Sequence, residues 1–152
     1  MRKIDLIVIH CSATRADRDF TEEDLEVCHR RRGFNGVGYH FYIRKNGSIK
    51  TTREIERIGA HAKGHNLNSI GICYEGGLDC HGRPADTRTE WQIHSMNVLI
   101  LTLLPHLRTP GLEPRPERER GDRAGGMGEG LPVLRRDEGM EVIIGECHSR
   151  LL

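Results

Sequence analysis

The stretch Ile4–Thr14, "IDLIVIHCSAT", is a near-continuous run of branched apolar residues that ends in a histidine, a cysteine and small polar residues. Ile and Val in an unbroken run, without polar alternation, suit a strand buried on both faces and predict a central strand of a sheet covered on both sides. His10 then stands at the carboxyl end of that strand, where open sheets gather ligands. A strand-end histidine on its own is equally a hydrogen-bonded structural imidazole, so its meaning depends on what surrounds it.

Working outward, "FTEEDLEVCHRRRGF" places Thr21 before Glu22, Glu23 and Asp24 and closes on Arg30, Arg31, Arg32 and Gly33. A capping hydroxyl, acids in the first turn, bases in the last and a glycine stop predict a helix. "VGYHFYIRKNGSIKTTR" alternates around Asn46-Gly47 and predicts an antiparallel hairpin, with Tyr39 and His40 on its first strand facing opposite ways. "NSIGICYEGG" reads as a second inner strand closed by Gly76-Gly77. "TRTEWQIHSMNVLILTLLPHL" starts a helix at Thr89 and sets Ile93, Met96, Leu99, Ile100, Leu103 and Leu104 at helical spacing. The expected fold is an α/β (α+β) single domain, a mixed central sheet flanked by helices, with an irregular C-terminal tail.

At 152 residues one core is expected, and 23 basic against 22 acidic side chains point to neither nucleic acid nor a membrane surface as partner. Five cysteines without regular spacing or a CxxC pair read as reduced thiols rather than a disulfide scaffold or zinc knuckle. The basic start "MRK" is followed by a short apolar run without a cleavage site, which predicts cytoplasmic synthesis without an export signal. Composition changes sharply along the chain. Every Phe, Tyr and Trp lies at or before Trp91, while five of the six prolines lie between Pro105 and Pro132. Residues 105–152 thus lack the means to build a core, apart from a short terminal strand in "MEVIIGECHSRLL".

The loop "GAHAKGHNLNS" interleaves His61, Lys63, His65, Asn66 and Asn68 with Gly and Ala. It reads either as a ligand-binding loop whose small residues let a polar substrate approach the backbone, or as a solvated connection.

Taken together, "IVIHCSAT", "GYHFYIRKNGSI", "IGAHAKGHNLNSIGICYEGG" and the helix after "RTEW" resemble, in order and spacing, the zinc N-acetylmuramoyl-L-alanine amidases of the phage-lysozyme type, related to the peptidoglycan recognition proteins. The resemblance covers residues 3–104 and implies an amidase-like domain over 1–104. It implies His10 as the first zinc ligand, Tyr39 as the catalytic tyrosine, and His61 with Lys63 and His40 on the substrate side. It further implies a monomer that hydrolyses the amide between N-acetylmuramic acid and L-alanine in peptidoglycan, acting on the cell wall after release. A zinc ion held by two histidines and one cysteine would keep its fourth position for water and polarise the amide carbonyl.

The pattern stops at the long helix. The family's second histidine belongs to a motif such as "GHRD" and its cysteine to an "ACPxFD"-like motif, and neither occurs here. His106, Cys147 and His148 remain in contexts that do not match. When residues 107–136 are back-translated with freely chosen synonymous codons and read from each codon's second base, the string "CGHRDLSPDLNGNGEIEPEEWVKACPCFD" can be obtained without a stop. Both missing motifs occur in it, in family order. The expectation is therefore that residues 105–152 are out-of-frame sequence, that the zinc site is incomplete, and that hydrolysis is impaired. The alternative is a non-catalytic peptidoglycan-binding module on the same fold.

Overall fold

The computed structural model describes residues 2–107, 134–136 and 140–144. The predicted central strand is β1, Leu6–Cys11, with five of its six residues buried. It pairs in parallel with β5, Ser69–Tyr74, which is buried along its whole length. On its other side it pairs in parallel with β8, Met140–Ile144. Beyond β5 lie β3, Phe41–Ile43, parallel to it, and β4, Ile49–Thr51, antiparallel to β3. The sheet order is β4-β3-β5-β1-β8-β7, where β7 is Leu134–Arg136. The region after Leu107, expected to be irregular apart from one short strand, thus contributes two strands. A second, two-stranded sheet joins β2, Thr14–Arg15, to β6, Gly77–Leu78.

Among the described residues, each face of the mixed sheet carries one helix. Ile7, Ile9, Ile70, Ile72, Phe41 and Ile43 pack with Met96, Leu99 and Leu103 of α2, Glu90–Leu107. Tyr42 and Cys73 on the opposite face meet Leu25 of α1, Glu22–Arg31, together with Val37. Successive strand residues alternate between these layers, so an unbroken apolar run is what the arrangement demands.

Helix α1 begins as expected: the Thr21 hydroxyl accepts the Asp24 amide at 3.2 Å and the Asp24 carboxylate accepts the Thr21 amide at 2.9 Å. It ends with the amides of Gly33 and Phe34 donating to the carbonyls of Arg30 and His29, with Gly33 at φ 84°. This is the Schellman closure that glycine permits. The hairpin differs in detail from a two-residue turn. Gly47, at φ 83°, donates to the Arg44 carbonyl and Arg44 to the Ser48 carbonyl, a three-residue loop with a glycine bulge.

The apolar face of α2 also needs one correction. Ile93 is 43% exposed, and Gln92 takes the inner position at 0%. The Gln92 amide donates to the carbonyls of Glu75 (2.9 Å) and Ile43 (3.2 Å), and its oxygen accepts the Thr89 amide. Satisfying those strand-end carbonyls outweighs burying one isoleucine. The helix then continues through Pro105 to Leu107, past the point where its periodicity ends. Among the described residues no helix is long and apolar enough to cross a membrane.

Candidate functional site

His10 sits next to last in β1, half-buried at the carboxyl end of the parallel strands. Its neighbours "CSAT" are folded back by backbone need rather than chemistry. The hydroxyls of Ser12 and Thr14 lie 2.7 Å apart and both accept the Gly76 amide, while Ala13 adopts φ 55°.

Tyr39 and His40 lie just before β3 rather than on it. Tyr39 turns toward His10, with ring centroids 5.1 Å apart. The loop before β5 brings His61 to the same place: His10 Nε2 and His61 Nδ1 are 3.1 Å apart and the rings meet edge to face. His29, from α1, completes the row against the other side of Tyr39 at 5.4 Å. The row therefore runs His29, Tyr39, His10, His61, drawing on a helix, a strand end and two loops.

His40, expected on the substrate side, is fully buried behind His61, with ring centroids 5.7 Å apart. Its Nδ1 accepts the Gly71 amide at 3.0 Å, so its ring proton sits on Nε2, 3.0 Å from the Arg57 carbonyl. Lys63 is exposed on the loop. Asn66, half-buried, accepts the amides of His61 (2.8 Å) and Ala62 (2.9 Å), which sets the loop's path. Arg2 ties the loop from behind through the carbonyls of Ile55 (2.7 Å), Leu67 (3.1 Å) and Ser69 (2.9 Å).

Two glycines make room for the His61 ring. A Cβ on Gly71 would stand 2.6 Å from its Cδ2 and Cγ, and one on Gly59 would stand 2.5 Å from the same Cδ2. Sequence reading singled out neither glycine, nor His29 or Arg2, as part of the site. Their roles depend on how separate loops, strands and a helix converge in the fold, for which local pattern carries no signal.

Among the described residues, the four buried or half-buried imidazoles are neutral near pH 7. Burial lowers His10, His29 and His40 to about 4. His61 falls to about 3, through burial and then its neighbours His10 and His40. For His29 and His40 the unfolded chain takes up protons below pH 6.5 whereas the folded chain does so only near 4. Their contribution is present above 6.5 and is lost as pH falls from 6.5 toward 4, at up to about 1.4 kcal/mol per pH unit for each imidazole. Thermal melts between pH 7 and 4.5 should show this decline, and a His29→Phe, His40→Gln double variant should show a flatter one.

The described residues do not complete a catalytic zinc centre. Such a centre takes three protein ligands. Two imidazole nitrogens face each other here, and among the described residues no group of three His, Cys, Asp or Glu side chains is placed to hold a metal ion. Cys11, Cys28, Cys73 and Cys80 carry reduced thiols, and burial raises Cys73 well above the usual thiol range. Cys147 and His148 lie outside the described residues, as does the side chain of His106.

The family model described as N-acetylmuramoyl-L-alanine amidase matches residues 1–125. The endolysin of Escherichia phage T7 is 39% identical over 100 residues, 66% of this chain and 66% of its own length. This chain therefore spans about two thirds of that relative. Among solved structures, the N-acetylmuramoyl-L-alanine amidase LysC from Clostridium intestinale URNW superposes with a TM-score of 0.59 at 31% identity, covering 70% of this chain and 66% of that one. Wild-type Drosophila PGRP-LB superposes with a TM-score of 0.60 at 26% identity, covering 72% and 66%.

Proposed function

Because this chain belongs to the N-acetylmuramoyl-L-alanine amidase family, we propose that its groove takes peptidoglycan and is directed at the amide between N-acetylmuramic acid and L-alanine. The observation that carries this reading is the convergence of His10, Tyr39 and His61, from three separate segments, at the carboxyl end of the parallel strands. Tyr39 is the group suited to stabilise charge on the amide oxygen or to orient water. His61 lines the groove, Lys63 offers an exposed cation to a stem-peptide carboxylate, and His40 acts through the Gly71 backbone that supports His61. A polar cleft of about 380 Å³, with Glu22, Glu26, Arg30, Arg53 and Arg57 among its lining residues, offers partners of both signs to a peptide that carries both.

His10 is the first zinc-ligand position of the family. With one such position filled and two missing, the chain is proposed to bind the wall and to hydrolyse it slowly, and a change of reading frame near Leu104–Leu107 is proposed as the cause. Sedimentation with purified sacculi tests the binding. The chain should pellet with the wall, soluble muropeptides should release it, and Lys63→Glu should weaken retention several-fold. Failure of the unaltered chain to pellet would overturn the assignment.

A further inference from the structure

The outer side of α2 is unlike the surface of a helix that faces water. On α1 the exposed residues include Glu23, Asp24, Arg30 and Arg31, as a half-solvated helix requires. Between Trp91 and Leu107, α2 carries no Lys, Arg, Asp or Glu. Its inner side is formed by Gln92, Met96, Leu99 and Leu103, all buried. On the opposite side Trp91 (68% exposed), His94, Val98 (46%), Leu101 (61%) and Pro105 follow one another at alternating steps of three and four residues. That spacing makes the narrow seam along which two helices pack.

We propose that α2 pairs with α2 of a second copy of this chain, antiparallel about a two-fold axis at the level of Met96, in place of the monomer that the family resemblance implies. In that register Trp91 meets Leu101 of the second copy and His94 meets its Val98, and the symmetry makes each contact twice. Trp91, Val98 and Leu101 leave about 350 Å² of apolar side chain in water, the size of patch that marks an interaction site. Two such faces, rimmed by Asn97 and Thr102, bury about 1,000–1,200 Å² in all, at the lower limit of a specific interface. The pair is therefore weak, with a dissociation constant of about 10–100 µM. A formal net charge of +1 lets two copies approach without repulsion. A membrane surface suits this face less well, because an interfacial helix sets Lys or Arg beside its apolar stripe, and α2 has neither there. Because α2 covers the sheet face opposite to α1, whose His29 joins the row with Tyr39, pairing leaves both grooves open.

Trp91 is the chain's one tryptophan, so its emission reports on this face alone. The test follows the mass of the full chain by sedimentation velocity, and its tryptophan emission, from about 1 to about 300 µM. The mass should rise from one chain to two, with a blue shift of the emission in step. Trp91→Glu and Leu101→Lys should each weaken pairing about a hundredfold or more, since a two-fold interface carries each change twice. The double variant should regain pairing, with opposite charges facing across the axis. Ile58→Glu, at a residue 50% exposed away from α2, should leave pairing unchanged. All of these positions are exposed, and melts like that of the unaltered chain would show the variants to be folded. A mass that stays at one chain, assemblies larger than two, or folded single variants that pair as before would each overturn the proposal. Emission already blue-shifted at the lowest concentration and constant thereafter would overturn it in favour of cover from within the chain. A single chain that binds phosphatidylcholine–phosphatidylglycerol vesicles with a blue shift would overturn it in favour of a membrane surface. No peptidoglycan is present in these measurements, so their failure leaves the wall reading to its own test.

Discussion

A chain whose residues 107–136 are replaced by the string CGHRDLSPDLNGNGEIEPEEWVKACPCFD is expected to bind one zinc ion about a thousandfold more tightly than the present chain, and to gain wall-lytic activity with it. Apparent binding energies of structural zinc in small domains are about 10–16 kcal/mol, or roughly 3 kcal/mol for each of four ligands. At 1.4 kcal/mol per decade, each restored ligand is worth about two decades, less what is spent in ordering the new segment. The string supplies a histidine and a cysteine in the two motifs the family resemblance requires. Competition with a chromophoric chelator would measure the gain. Unchanged zinc affinity in a folded replacement chain would show that the string does not complete the site. Sequencing of the coding DNA addresses the origin of the present chain, since a one-base change near codon 107 should restore both motifs.

Gly71→Ala is expected to lower stability by about 3 kcal/mol and to displace His61 from its partners. The added methyl would stand 2.6–2.7 Å from three His61 ring atoms, and Gly71 lies in the middle strand between β1 and β3, where the backbone is paired on both sides. Overpacking of this kind costs about 1–3 kcal/mol in a well-packed core. A further loss comes from the Gly71 amide, which donates to His40 at 3.0 Å and would be disturbed by any shift of the strand. The melting temperature should drop by about 10 °C. The imidazole resonances of His10 and His61 should move together, because the two share a hydrogen bond. A variant that melts like the unaltered chain, with both resonances unmoved, would show that the glycine is not what seats His61.

The two inner strands, both helices and the hairpin were legible because each obeys a local rule. Leu6–Ile9 is apolar without alternation, Thr21 and Gly33 bracket α1, and Asn46-Gly47 marks a turn. The position of His10 followed from the first of these, and its company from the family-like order of the motifs. Gln92 was not legible. A polar residue one place before an apolar one gives no hint that two strand-end carbonyls lie within its reach. The same holds for His29, whose Nδ1 accepts the Gly38 amide and whose ring supports Tyr39. His40 presents the converse case: its place beside Tyr39 suggested a groove residue, but an imidazole with both nitrogens satisfied by backbone belongs in the core.

The central proposal is a peptidoglycan-directed amidase groove whose zinc-ligand set is incomplete. It is tested most directly by counting new L-alanine amino groups released from purified peptidoglycan by the full chain in the presence of Zn²⁺, with the phage T7 endolysin assayed alongside. The predicted result is wall binding with release at least about a hundredfold slower than that enzyme, as expected when a metal-supplied electrophile worth several kcal/mol is missing. Chelator-sensitive release at the endolysin's own rate would contradict it.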